Sequence, residues 1–378
     1  MNRSTEFFLF ILAAILTGCS SNPKQSSNNQ FEKNIKIGAY FYDGWSGHNR
    51  HANDPNQPWA KNAPRMLTRL LAEDFSEREP VWGWRGDSQE IVEKQIDLAA
   101  DHGLDYFLFC WYWRDTNGPI NVTEIENAPQ HVSMNYYLKA SNKNRLRFGL
   151  LVANHSGAEI KGADNWEEAA RYWMQYFKDS QYVTVDGKPL VVIFNPADLD
   201  EKSISRMQNV AKESGFKGLS IAGCGTPEKL NNGFTHRTHY NIVPGYRAGS
   251  EAHPYSELVE AHQKQWSGSA KTPYIPEVTV GWDKRPWEGP EGTNAPVGYY
   301  FVDRTPEQFE EFLRSAIVWM DENPELTTKE RLVTLYAWNE LGEGGYLVPT
   351  KGDPEASYLK IVKKITSEYS RKTKNKNN

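Results

Sequence analysis

Two glutamates, Glu340 and Glu343, stand three residues apart in YAWNELGEGGYLVP, Tyr336 to Pro349, at the exit of the apolar run RLVTLYAW. That run reads as a buried strand, so the acids belong to its mouth and not to a solvated helix. Cleaving a glycosidic bond takes a proton for a poor leaving oxygen and a second group opposing charge at the sugar carbon. Two carboxyls in different surroundings, one protonated and one ionised, supply both. Gly342, Gly344 and Gly345 let the chain turn sharply and approach a ligand, and Asn339 is placed to steady a carboxylate or a sugar hydroxyl. The competing reading is structural, with either acid pairing with an arginine or capping a helix, because E-x-x-E is a common spacing.

Aromatics shift that balance. They make up 13% of the chain and include 13 Trp, many in Gly- and Pro-rich segments where core spacing does not explain them. Sugars stack their C–H faces on indole and phenol rings while their hydroxyls need fixed polar partners. Trp111 and Trp338 read as core members, whereas Trp82–Trp84 and Trp282–Trp287 read as exposed platforms. The expected substrate contacts are Tyr42, Asp43, Trp45, Trp82, Trp84, Trp113, Asn154, His155, Trp282, Asp283, Asn339 and Tyr346. His48 and His51 have no third ligand in reach and read as solvent-exposed or sugar-bonding imidazoles. No Ser-His-Asp elbow, phosphate loop or zinc signature is present, and no metal or cofactor is expected.

These residues recur at one kind of boundary. Candidate strands are Ile35–Phe41, Tyr106–Trp111, Arg147–Ala153, Leu190–Asn195, Leu219–Gly223, Tyr240–Val243, Tyr274–Thr279 and Leu332–Trp338. Helical stretches alternate with them. One starts at an Asp87/Glu90 capping pair and ends at Gly103. Another has Thr305 as cap, Pro306 in the first turn and Gln308 closing the box, with Phe309, Phe312, Leu313, Ala316, Ile317 and Met320 on one face. Others are expected at Asn165–Phe177, Glu201–Ser214, Tyr255–Trp266 and Pro354–Ser370. Eight strands alternating with helices predict a single (β/α)8 TIM-type barrel over residues 34–370, whose functional groups gather where the strands end. An open doubly wound sheet is the alternative, but no G-x-G-x-x-G follows the first strand.

At 378 residues with net charge −5, the chain has length for a large core and no basic stripe for a nucleic acid. MNRSTEFFLFILAAILTGCSS has a charged start, an apolar run and small residues, the form of an export signal. LTGC resembles a bacterial lipoprotein signal, implying cleavage after residue 18 and lipidation of Cys19. Residues 19–33 then read as a flexible tether and 371–378 as a basic polar tail. The expectation is a monomer held by lipid in the bacterial envelope, on the periplasmic or surface face of the outer membrane. Cys110 and Cys224, each in an apolar stretch, read as two buried thiols.

The segments IGAYFYDGW, QIDLAADHGLDYFLFCWYW, VDGKPLVVIFNP, VGWDKRPW, RTPEQFEEFL and AWNELGEGGYLVP, in that order, resemble the glycoside hydrolase family 99-like domain. That group holds endo-α-mannosidases and bacterial relatives, some labelled glycosyltransferases. The resemblance covers nearly all of 35–365, most specifically W-N-E-x-x-E-G at Trp338, Asn339, Glu340, Glu343 and Gly344. It implies a (β/α)8 barrel and retaining hydrolysis of α-linked sugars in a complex polysaccharide. It further implies that Glu340 acts as base on the sugar's own 2-hydroxyl, giving a 1,2-anhydro sugar, and that Glu343 is the general acid and then base. Family enzymes tend to carry an aromatic and a His between the acids, where this chain has Leu341 and Gly342, so the sugar contacts there must differ. A glycan-binding lipoprotein without turnover is the alternative. A nucleotide-sugar transferase is disfavoured by export, since such donors are cytoplasmic.

Overall fold

The computed structural model describes residues 35–113, 118–225, 233–266, 272–290, 292–293 and 295–376. The signal stretch, Cys19 and the tether lie outside the described residues. Eight parallel strands form the body: β1 (Lys36–Phe41), β2 (Tyr106–Trp111), β3 (Arg147–Val152), β4 (Lys188–Ile193), β5 (Ser220–Cys224), β6 (His236–Thr238), β7 (Glu277–Thr279) and β8 (Leu332–Tyr336). They pair in the order β6-β5-β4-β3-β2-β1-β8-β7. Parallel pairing of Arg237 with Tyr274 joins the two ends, with Arg237 N–H donating to Pro273 O at 2.8 Å and Ile275 N–H to Arg237 O at 2.9 Å. The sheet is thus closed into a (β/α)8 barrel. Strands β1 to β5 and β8 are apolar for most of their length because each has side chains inside the barrel and side chains under the helices.

Two strands differ from expectation. The sixth is His236–Thr238 and not Tyr240–Val243. It is buried yet polar, so an apolar run cannot reveal it. Local bonds satisfy it instead, with His236 Nδ1 against Thr235 Oγ1 at 2.8 Å and Thr238 Oγ1 donating to Ile275 O at 2.9 Å. The seventh shortens to Glu277–Thr279.

The helix Gln89–Asp101 is capped by Ser88, whose oxygen accepts from Ile91 N–H, and not by Asp87. Asp87 is occupied by the Arg85 guanidinium and by Gly47 N–H. The helix Pro306–Glu322 has the expected reciprocal box between Thr305 and Gln308 and buries the six residues expected of its inner face. The last helix, Ser357–Lys376, begins after Pro354 and extends into the stretch read as a tail. Cys110 is buried and Cys224 half-buried, both as free thiols. Among the described residues, no helix is long and apolar enough to cross a membrane.

Candidate active site

Strand β8 ends at Tyr336, followed by a cis peptide to Ala337. Trp338 is buried and donates its indole N–H to Gln95 Oε1 at 2.7 Å, fixing the chain against the first long helix. Asn339–Glu340 then pairs antiparallel with Gly345–Tyr346, making a small hairpin on the barrel rim. Glu343 N–H returns to Glu340 O at 3.1 Å, so the turn between the acids is closed. Both carboxyls line one cavity of about 500 Å³ whose wall includes Tyr42, Tyr112, Trp113, Phe194 and Trp287.

The two acids have unlike surroundings. Glu340 is buried, takes a hydrogen bond from Tyr240 on Oε1, and leaves Oε2 without a partner. Burial raises its pKa well above the ordinary carboxyl value and the Glu343 charge adds to this, against smaller opposing effects of Tyr240 and Lys284. Glu343 is charge-paired, with Lys284 Nζ 2.8 Å from Oε1 and the Tyr336 hydroxyl donating to Oε2. Burial works against the Lys284 charge, but Glu343 outweighs it and holds the ammonium above the usual lysine range.

Two glycines permit this packing. A Cβ on Gly345 would lie 2.3 Å from the Tyr336 ring, so only glycine lets that phenol reach Glu343. A Cβ on Gly342 would lie 1.9 Å from the Trp287 indole, which covers the acid turn. Buried Arg78 clamps the assembly, donating to Asp283 O at 2.9 Å and Leu341 O at 3.2 Å as well as to the Asp283 carboxylate. Asp283 N–H donates to Glu343 O at 2.6 Å, and Arg304 bridges Val280 O and Gly344 O. The loop after β7 and the acid hairpin therefore form one hydrogen-bonded unit.

Of the expected contacts, Tyr42, Trp113 and His155 line the cavity with the two glutamates. The rest are placed behind it. Asn339 Oδ1 accepts from Tyr42 N–H at 2.9 Å and so braces the wall. Asp43 accepts from Ser133 N–H at 2.7 Å, and burial pushes its pKa up to about 6. Trp45 is buried, donates to Asn339 O at 2.8 Å and stacks on Trp287 at 6.2 Å. Trp82 and Trp84 border a separate small crevice with Trp45 and are half-buried, not exposed platforms. Trp282 is buried beneath Lys284 and edge-on to Tyr246. Asp283 is spent on Arg78 and Arg285. Asn154 ties β3 to β4, exchanging hydrogen bonds of 2.7 and 2.8 Å with the Asn195 backbone. Tyr346 lies under the Arg304 guanidinium, away from the acids.

Tyr240, Lys284 and Tyr336, the groups that set the state of the two acids, are not among the expected contacts. Lys284 follows Asp283 directly, at the start of the tight turn Arg285–Trp287, and there the lysine, not the aspartate, lines the cavity. Tyr240 and Tyr336 read as strand fillers because a phenol in a strand is ordinarily core.

Paired acids stand on the carboxyl rim of this barrel, braced by aromatic and basic groups, and the fold is that of the glycoside hydrolase family 99-like barrels. The chain belongs to the family described as Glycosyltransferase WbsX, whose model matches residues 84–362. A glycoside hydrolase-like protein of known structure is similar at TM-score 0.60 and 15% identity over 89% of this chain and 94% of that one. The family 99 endo-α-mannosidase from Bacteroides thetaiotaomicron is similar at TM-score 0.59 and 14% identity, over 89% and 98%. In sequence, the protein WxcX of Xanthomonas campestris pv. campestris strain B100 is 21% identical over 286 residues, 69% of this chain. The matched region spans 39% of that relative's length.

Proposed function

We propose that this chain is a glycoside hydrolase acting on α-linked bonds of a polysaccharide, held at the bacterial envelope by a lipid on Cys19. The observation that carries the reading is the convergence of Glu340 and Glu343, in unlike surroundings, on one aromatic-walled cavity. Rings on the wall suit C–H faces of a sugar, and the unpartnered Glu340 Oε2 is an acceptor awaiting a donor such as a hydroxyl. In the retaining course, Glu340 draws the proton from the sugar 2-hydroxyl as that oxygen closes on the anomeric carbon. Glu343 gives its proton to the leaving oxygen, then activates the water that opens the anhydro ring. A second division of roles is favoured by the burial of Glu340 and by the ammonium beside Glu343: Glu340 donates and Glu343 is the base.

The test is release of new reducing ends from α-linked polysaccharides by the full-length protein, beside Glu343→Gln, with acceptor sugars present in a parallel arm. Release into water supports hydrolysis. Glycan that is held but never cut would make the protein a binder. Products found only on the added acceptor would favour transfer, the activity named in the family's description.

A further inference from the structure

A second cavity, of about 330 Å³, adjoins the first. Arg65, Met66, Trp287 and Thr293 line both, so the two share a wall. The charged side chains of the second cavity are Arg50 and Arg65, and among the described residues no carboxylate lines it, in a chain of net charge −5. Arg50 is exposed, with Nε 2.9 Å from His51 Nε2 and Nη2 3.4 Å from Gly292 O. Arg65 donates to Asp43 O at 3.0 Å and contacts the Met66 sulfur at 3.4 Å, while its Nε is buried with no partner. Both guanidiniums are therefore held by neutral acceptors, with no described carboxylate within ion-pair distance. A guanidinium so placed is a ready fork for a carboxylate or sulfate. Flat faces stand beside the charges. Trp287 forms the shared wall, and Trp59, tied to Gln57 Oε1 at 2.5 Å, lies 6.3 Å from the His51 ring.

We propose that this second cavity is a subsite for an acidic sugar, one bearing a carboxylate or a sulfate ester, adjacent to the sugar whose bond faces Glu340 and Glu343. Its place along a cleaved chain rests on the hydrolase reading, whereas its preference for charge does not. Arg65, at the junction, serves both cavities, and Arg50, at the open side, meets the anion first. The ring faces hold the body of the sugar while the guanidiniums select its substituent.

Binding separates the two ideas. Full-length Glu343→Gln protein, which holds substrate without fast turnover, is titrated with three matched oligosaccharide sets: neutral, uronate-bearing and sulfated. The expected result is at least about tenfold tighter binding of one acidic set than of the neutral set, the worth of one charge-assisted contact. That advantage shrinks as salt rises, because the subsite is open to solvent. Adding Arg50→Gln, a change at an exposed side chain, cuts the acidic-to-neutral ratio by about tenfold. The uronate and sulfate arms tell which anion the site takes. Equal affinity for neutral and acidic chains, an unchanged ratio in the Arg50 variant, or no binding of either acidic set overturns the proposal. If wild-type protein binds acidic chains and cuts nothing, the hydrolase reading falls and the subsite stands. If it cuts neutral chains and shows no charge preference, the reverse holds.

Discussion

Two buried glutamates, Glu340 on the rim hairpin and Glu277 at the start of β7, share almost every local feature except one. Glu277 is 0% exposed and Glu340 is 3% exposed. Each takes a tyrosine hydroxyl on one oxygen, from Tyr274 and Tyr240, and leaves its other oxygen without a partner. Burial raises both pKa values well above the carboxyl range. The difference is what the spare oxygen faces. That of Glu277 looks toward His262 Nε2 at 3.9 Å, an imidazole that burial keeps neutral down to about pH 4. That of Glu340 is also buried, but the residue lines a cavity that holds a second, charge-paired acid. A perturbed acid is thus not by itself a site. Access to a cavity, and a partner acid of opposite character, separate chemistry from packing.

The largest expected effect breaks the comparison directly. Glu340→Gln abolishes turnover on both good and poor leaving groups under the retaining course, while Glu277→Gln leaves kcat little changed in the folded protein. Comparable losses at both positions would show that burial, not access, governs activity. Next comes Glu343→Gln, expected to lower turnover by about 10² to 10⁴, the usual worth of a general acid. A glycosyl fluoride, whose fluoride leaves the anomeric carbon without a proton, restores part of that loss. Rescue of Glu340→Gln in its place would assign the proton donor to Glu340, as its burial suggests.

How legible was this contrast in the sequence? The barrel was, because parallel strands covered on both faces appear as apolar runs and their helices carry clear caps, as at Thr305. Where a strand is buried but polar, as at His236–Thr238, the pattern fails. The paired acids were visible as a motif on a strand exit. Their environment was not: Lys284, Tyr240 and Tyr336 come from three different strand ends and meet only through closure of the sheet. Most of the rim tryptophans and amides lie outside the cavity lining, since a ring near Gly and Pro can as readily brace a loop as face solvent. Trp287 shows the limit, being buried by residue yet part of the cavity lining.

A smaller effect sharpens the role of that wall. Gly342→Ala places a methyl where the Trp287 indole now lies, so either the ring or the acid turn must shift. Overpacking of this kind costs about 1 to 3 kcal/mol, visible as a lower midpoint in urea. Turnover falls too, because Trp287 is common to both cavities. A variant as stable and as active as the parent would mean that the indole is free to swing away and is no fixed wall.

The smallest effect is the one in which the two glutamates should behave alike. An acid whose folded pKa is raised binds its proton more tightly in the folded than in the unfolded chain. Its contribution is complete below the unfolded value of about 4.3 and is lost as pH climbs toward the folded value, with a slope of at most about 1.4 kcal/mol per pH unit. His262, with its folded pKa lowered by burial to about 4, acts the other way and adds stability as pH rises toward the ordinary histidine value of about 6.5. Around Glu277 the two slopes oppose each other across that window. The melting temperature of Glu277→Gln, measured against the parent, is therefore expected to gain steadily with pH, and that of Glu340→Gln to do the same. A ligand filling the cavity tells them apart. It changes the pH slope attributable to Glu340, which lines that cavity, and leaves that of Glu277 in place. If ligand moved both slopes equally, the closed acid would be coupled to the open one, and the distinction between packing and chemistry would have to be drawn elsewhere.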